Sequence, residues 1–251
     1  MKSIKSISCK FLWPGLLAGL FCAVNLAGAA ATRVACVGDS ITAGYGITDP
    51  AHNGYPAQLG AMLGTNWEVR NFGVSATTLL RRADRPYIKT PAFTNALEFK
   101  ADMVVINLGA NDSKHPNDGS LEDDKAVNNW QFKPDFVDDY EALIASFRQA
   151  NPQVKVYVCF PTPDYPGRWG INDRTIRVEM IPLIRQVAKD ANARIIDLYA
   201  ALSGKKELFP DAVHPDVAGA KLIAAAVYQA LTGREPLSNA IAASPPPLTL
   251  K

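Results

Sequence analysis

Five short runs rich in β-branched residues recur along this chain, at Arg33–Val37, Trp67–Phe72, Met103–Leu108, Val154–Phe160 and Ala193–Leu198, and helix-like patterns fill the intervals. Strands that alternate with helices pair in parallel, because only a helix-length crossover can return the chain to lay the next strand beside the last in the same direction. Helices then cover both sheet faces. Phe136, Tyr140, Leu143, Ile144 and Phe147 recur at helical spacing behind Asp135 as N-cap, and that helix should stop before Asn151-Pro152. Ile176, Met180, Leu183, Ile184 and Val187 repeat the pattern, with Pro182 either kinking the helix or marking its true first turn. The last helix is expected to begin after Asp216, to bury Ile223, Val227, Ala230 and Leu231, and to end at Gly233. The stretch from Thr32 to Gly233 suffices for one three-layer domain with a substantial core. There is no internal repeat.

What precedes the first strand reads as an address. Lys2, Lys5 and Lys10 make a positive start, the apolar run Phe11–Val24 follows, and small residues surround Ala27-Gly28-Ala29, the three-part layout of a secretory signal peptide. Residues 1–31 are therefore expected to be removed on export to the periplasm or the exterior, with cleavage between Ala29 and Ala31. The apolar run is broken by Pro14 and Gly15 and is shorter than the ~20 residues that span a bilayer, so no stable membrane insertion is expected. Without residues 1–31 the 26 basic and 24 acidic side chains become 23 and 24, a net charge of −1. That balance lacks the excess of cations which drives nucleic-acid binding, and nucleic acid is not an expected partner. Residues 234–251, with Pro245-Pro246-Pro247, show no periodicity and are expected to form a mobile tail. Of the four cysteines, only Cys36 and Cys159 would survive cleavage, and both sit in apolar runs as buried thiols do.

In open α/β sheets ligands bind outside the carboxyl ends of the strands. The segments that follow the strands begin at Gly38, Gly73, Gly109, Pro161 and Tyr199. Ser40 in Gly38-Asp39-Ser40 would stand where the first strand turns into a helix, a place that suits a nucleophile but equally suits a helix-capping serine. Asn111 in Gly109-Ala110-Asn111-Asp112 could aim an amide into the same crevice or simply form a turn. Gly73 could offer a backbone N–H there. Asp211-Ala212-Val213-His214 precedes the last helix, and a carboxylate three residues before a histidine can steer its imidazole as a general base requires. Neither the dinucleotide fingerprint G-x-G-x-x-G nor the nucleophile elbow G-x-S-x-G occurs. Each signal is weak alone. Together they fall after different strands and point to one crevice.

With these residues in hand, the chain resembles the SGNH hydrolases, or GDSL-type esterases. The four markers of that family match Ser40, Gly73, Asn111 and His214 in order and approximate spacing, over roughly residues 32–233; Ile41 stands where the name-giving motif has leucine. The resemblance implies a three-layer α/β/α, flavodoxin-like fold whose five-stranded parallel sheet is ordered 2-1-3-4-5. In that order one strand separates Cys36 from Cys159, about 9–10 Å, beyond the ~7 Å reach of a disulfide. It also implies a serine esterase with Ser40, His214 and Asp211 as catalytic triad, an oxyanion hole built from Ser40, Gly73 and Asn111, and no metal or cofactor.

Substrate choice should lie in the loops at the strand ends. Tyr45, Trp130, Tyr165, Arg168 and Trp169 are the candidate contacts, because aromatic rings beside polar groups suit sugar faces. They equally suit loops anchored to the body. The loops resemble those of SGNH-type carbohydrate acetylesterases, so a glycan or small-molecule ester, most simply an acetyl ester, is the expected substrate. A lipase, thioesterase or arylesterase with the same triad is the alternative within enzymes, and a carbohydrate-binding protein without turnover is the alternative outside them. Nothing in the sequence speaks to oligomeric state.

Overall fold

The computed structural model describes residues 30–115, 127–165 and 169–236. Five strands, β1 (Thr32–Gly38), β2 (Trp67–Gly73), β3 (Met103–Asn107), β4 (Lys155–Phe160) and β5 (Arg194–Asp197), form one sheet in the order β2-β1-β3-β4-β5. Every neighbouring pair is parallel. The helices between them are α1 (Ser40–Ala43), α2 (Pro50–Asn53), α3 (Tyr55–Leu63), α4 (Pro91–Glu98), α5 (Phe136–Ala150), α6 (Ile181–Asp190), α7 (Leu198–Leu202) and α8 (Val217–Thr232). This is the expected flavodoxin-like sandwich.

Period-two alternation along each strand divides the core in two. Ala35, Val37, Val104, Ile106, Val156 and Val158 face one layer, where they meet Phe136, Tyr140, Ile144 and Ile184 of α5 and α6. Val34, Cys36, Val105, Tyr157 and Cys159 face the other, against Tyr55 and Leu59 of α3 and Ile223 and Val227 of α8. Cys36 and Cys159 are free, on strands separated by β3, and burial pushes the Cys36 thiol up to about 12. A thiol held that firmly protonated is inert.

Boundaries shift where a side chain prefers a local bond. β5 ends at Asp197, not Leu198, because the Asp197 carboxylate accepts the Ala200 N–H at 2.8 Å and caps α7. Asp135 does stand at the N-cap of α5 but makes no capping bond; its carboxylate accepts a bond from Arg82 at 3.1 Å instead. Pro182 lies in the first turn of α6, behind a π-helical stretch over Thr175–Met180. The helical backbone runs unbroken from that stretch into α6, so the N–H that proline lacks falls where the hydrogen-bond ladder is already displaced. The expected leader as far as Ala29, and the expected tail from Leu237 on, lie outside the described residues. Among the described residues no helix is long and apolar enough to cross a membrane.

Candidate active site

The carboxyl ends of β1, β2 and β3 converge, and α1 starts directly at the first of them. Asp39 caps that helix, its Oδ1 accepting the Ile41 N–H at 3.0 Å, and so fixes Ser40 at the first helical position. The packing there leaves no room for side chains. A Cβ on Gly38 would lie 2.1 Å from Thr42 Oγ1, and one on Gly73 would lie 2.3 Å from the backbone N of Ala43. Both glycines let α1 seat itself against the strand ends.

The loop before α8 delivers the histidine. Asp211 Oδ1 accepts the N–H groups of Val213 (3.0 Å) and His214 (2.7 Å), which folds the D-x-x-H segment back on itself. Its other oxygen, Oδ2, meets His214 Nδ1 at 2.8 Å, and His214 Nε2 meets Ser40 Oγ at 2.8 Å. Ser40 and His214 are both buried. Burial draws the imidazole below its ordinary 6.5, against the opposing pull of the Asp211 charge. Burial also pushes the Asp211 carboxyl up, but the N–H bonds and the His214 ring outweigh it and hold the group below its ordinary range. A neutral imidazole between a serine and an ionised carboxylate is an arrangement that can serve general-base chemistry.

The serine and histidine open on a cavity of about 180 Å³ lined also by Tyr45, Ser75, Ala76, Asn111, Lys114, Trp169 and Ile171. Asn111 is held by two bonds. Its Nδ2 donates to Thr77 O at 3.1 Å, and its own backbone oxygen accepts from Asn129 Nδ2 at 2.9 Å. One amide hydrogen of Asn111 is left for the cavity. The Asp112 carboxylate accepts the N–H groups of Leu79 (2.9 Å) and Leu80 (2.8 Å), tying the Asn111 turn to the segment after β2. Asp39 and Asp112 are thus buried on either flank of the site. Burial raises each to about 7, partly offset by the N–H bonds each accepts.

Gly73 does not take the place expected of it. Its N–H donates to Asn71 Oδ1 at 2.8 Å, and it does not line the cavity. The residue after β2 that does is Ala76, held at φ +65°. Among the described residues the N–H groups of Ser40 and Ala76 make no hydrogen bond. These two, with the Asn111 amide, are the donors available to an oxyanion. A sequence reading that seeks glycine for a left-handed turn passes over an alanine, so the position was hidden by its residue type.

The aromatic candidates separate. Tyr45 lies 4.4 Å from the His214 ring centroid and Trp169 5.1 Å, and both line the cavity. Trp130 is buried in the core beside Phe136, its indole N–H donating to Glu179 at 3.0 Å. Tyr165 packs on Phe209, and its hydroxyl donates to Leu202 O at 3.0 Å. Those two rings anchor loops rather than face the cavity, since each finds apolar area and a polar partner within the body. Arg168 lies outside the described residues. Among the described residues no cluster of three His, Cys, Asp or Glu could hold a metal ion. Lys114 and Ile171, which also line the cavity, carry no sequence signal that would have found them.

The chain matches the GDSL-like Lipase/Acylhydrolase family over residues 36–222. An acetylxylan esterase of Xylanibacter ruminicola is 40% identical to it over 219 residues, 80% of this chain and 43% of that protein. The chain thus spans less than half the length of that curated relative. Among solved structures, Est24, a carbohydrate acetylesterase from Sinorhizobium meliloti, superposes with a TM-score of 0.59 at 18% identity, covering 80% of this chain and 99% of that one. Axe2, an acetylxylan esterase from Geobacillus stearothermophilus, gives 0.58 at 24%, covering 81% and 95%. The aryl esterase of M. smegmatis gives 0.61 at 19%, covering 81% and 99%. At these identities the three structures share the fold, and they differ in the esters their names announce.

Proposed function

The chain belongs to the GDSL-like lipase/acylhydrolase family, a family of carboxylic-ester hydrolases, and on that premise we propose that it removes short acyl groups, acetyl above all, from a carbohydrate through a Ser40–His214–Asp211 triad. One observation carries the reading: a continuous hydrogen-bonded line, 2.8 Å from Asp211 Oδ2 to His214 Nδ1 and 2.8 Å from His214 Nε2 to Ser40 Oγ, that ends at a cavity. In this scheme Ser40 Oγ attacks the ester carbonyl as its proton passes to His214 Nε2. Asp211 stabilises the imidazolium that results. The oxyanion is met by the Ser40 and Ala76 N–H groups and the Asn111 amide, donors that are worth most where charge develops. The sugar hydroxyl departs with the proton from His214. Water then gives a proton to the same nitrogen and cleaves the acyl-serine, which releases acetate and restores Ser40.

Acetyl is favoured because the cavity is small, about 180 Å³. Its apolar lining among the described residues is mainly the rings of Tyr45 and Trp169, with Ile171 as the one large aliphatic side chain, which suits a sugar face and a short acyl group more than a long chain. The carbohydrate is supported by the exposed ring of Tyr45 and by Trp169 beside His214, and by the relative named as an acetylxylan esterase. Residues 32–233 form the catalytic unit in this proposal, and residues 1–31 direct its export. The test is hydrolysis of acetyl, butyryl and octanoyl esters of one phenol, alongside acetate release from acetylated xylan. Rates should fall as the acyl chain lengthens; octanoate outrunning acetate would point to a lipase. Ser40→Ala should keep the fold and lose at least ~10³ in turnover, and near-native turnover would remove Ser40 as nucleophile.

A further inference from the structure

A second cavity, of about 290 Å³, adjoins the catalytic one, and Ser75 lines both. It is lined by Thr77, Asp84, Arg85, Lys89 and Thr90 among others. Its character is cationic. Arg85 and Lys89 are both exposed, and among the described residues neither side chain makes an ion pair or hydrogen bond. That sets them apart from the arginines around them. Arg70 pairs with Glu68, Arg81 with Asp139 at 2.5 Å and Arg82 with Asp135 at 3.1 Å. Two cations stand against the one acid that lines the cavity among the described residues, Asp84, whose Oδ1 accepts a bond from Asn129 Nδ2 at 2.9 Å.

The backbone that carries the two cations is fixed. Thr78 N donates to Arg85 O and Tyr87 N to Thr78 O, each at 2.9 Å, which makes a small parallel bridge across the segment after β2. Lys89 closes the 3₁₀ turn Tyr87–Lys89, and Thr90 caps α4. The bridge clamps the cations to the same 74–78 segment that brings Ala76 to the catalytic cavity. Such a pair, carried on a fixed backbone and without an internal partner among the described residues, is available to an anion from outside.

We propose that this second cavity is an accessory subsite for an acidic sugar: the glycan that carries the ester also carries a uronate, whose carboxylate meets Arg85 and Lys89 while the acyl group lies at Ser40. The inference rests on the carbohydrate-esterase reading and narrows its substrate to acidic glycans, whether the uronate is a side branch or a unit of the main chain.

The experiment compares acetate release by the full chain from acetylated glucuronoxylan, from the same polymer after enzymatic removal of its glucuronate, and from acetylated polygalacturonate fragments. Because exposed charge pairs are weak and screened, the expected preference in kcat/KM for a uronate-bearing substrate is about three- to tenfold at low salt. It should collapse toward one in Arg85→Gln/Lys89→Gln, and in the unaltered chain at about 0.5 M salt. The substrate that keeps the preference distinguishes the branch from the main-chain source. A ratio of one in the unaltered chain, or a ratio that survives the double substitution, overturns the proposal. If phenyl acetates are cleaved but no glycan is, the carbohydrate reading itself fails. The subsite is then judged by calorimetric binding of unesterified glucuronoxylo-oligosaccharides to Ser40→Ala: binding that is absent, or that the double substitution leaves intact, overturns it too.

Discussion

Asp211→Asn is the change that interrogates the active site most directly, because the carboxylate does two jobs with two oxygens. Oδ1 accepts two backbone N–H groups, at 3.0 and 2.7 Å, and Oδ2 faces His214 Nδ1 at 2.8 Å. Asparagine has the same shape but one acceptor and one donor, so it must choose. If its oxygen stays on the two N–H groups, its NH₂ faces His214 Nδ1. The ring must then carry its proton on Nε2 and can no longer accept from Ser40. If the amide flips, the histidine keeps its tautomer, but an NH₂ confronts two buried N–H donors, at about 1–3 kcal/mol for each lost acceptor. The first arrangement costs less, since moving a proton between two ring nitrogens breaks no backbone bond. The fold should therefore survive while the base is disabled, with kcat on p-nitrophenyl acetate down by about 10³–10⁴. Thermal unfolding should move by no more than about 2–4 °C, roughly what 1 kcal/mol is worth in a domain of this size. A variant that unfolds near the parent temperature and keeps kcat within tenfold would refute the claim that Asp211 sets the tautomer.

Three further outcomes follow from the same geometry. Asn111→Ala should lower kcat by about 10²–10³ with little change in KM, because an oxyanion donor acts in the transition state; a loss confined to KM would make Asn111 a binding group. The acidic limb of the kcat/KM profile should have its midpoint below 6.5, since burial holds His214 below its ordinary value and the base works only when deprotonated; a midpoint above 6.5 contradicts this. Gly73→Ala keeps the backbone N–H but forces a Cβ to within 2.3 Å of Ala43 N and 2.7 Å of Thr42 C. Overpacking against backbone costs about 1–3 kcal/mol, or roughly 3–10 °C in the unfolding midpoint, and an unshifted midpoint would show that β2 and α1 are not in the contact described.

The sequence by itself determined the layering and which side chains come together at the candidate site. Alternating strand and helix patterns require a parallel sheet covered on both faces, and β1 shows why this is legible: Val34 and Cys36 go to one core and Ala35 and Val37 to the other, so the whole strand is apolar. The order β2-β1-β3-β4-β5 came from the family resemblance, and the sheet has it. Ser40, Asn111 and Asp211-x-x-His214 were legible because each is a side chain whose chemistry is written in its type and whose place follows from the strand before it. Backbone donors are not written that way. Every residue but proline has an N–H, and whether it is free depends on the turn it sits in and on contacts elsewhere in the chain. Asn71 takes the Gly73 N–H, and the turn that brings Ala76 to the cavity is held by Asp112, over thirty residues on. The aromatic loops divided for the same reason. Trp130 and Tyr165 turn into the body, toward Glu179 and Leu202, while Tyr45 and Trp169 line the cavity beside His214. A sequence shows that a ring can pack on apolar surface. Only the tertiary structure decides whether that surface belongs to the protein or is offered to a ligand.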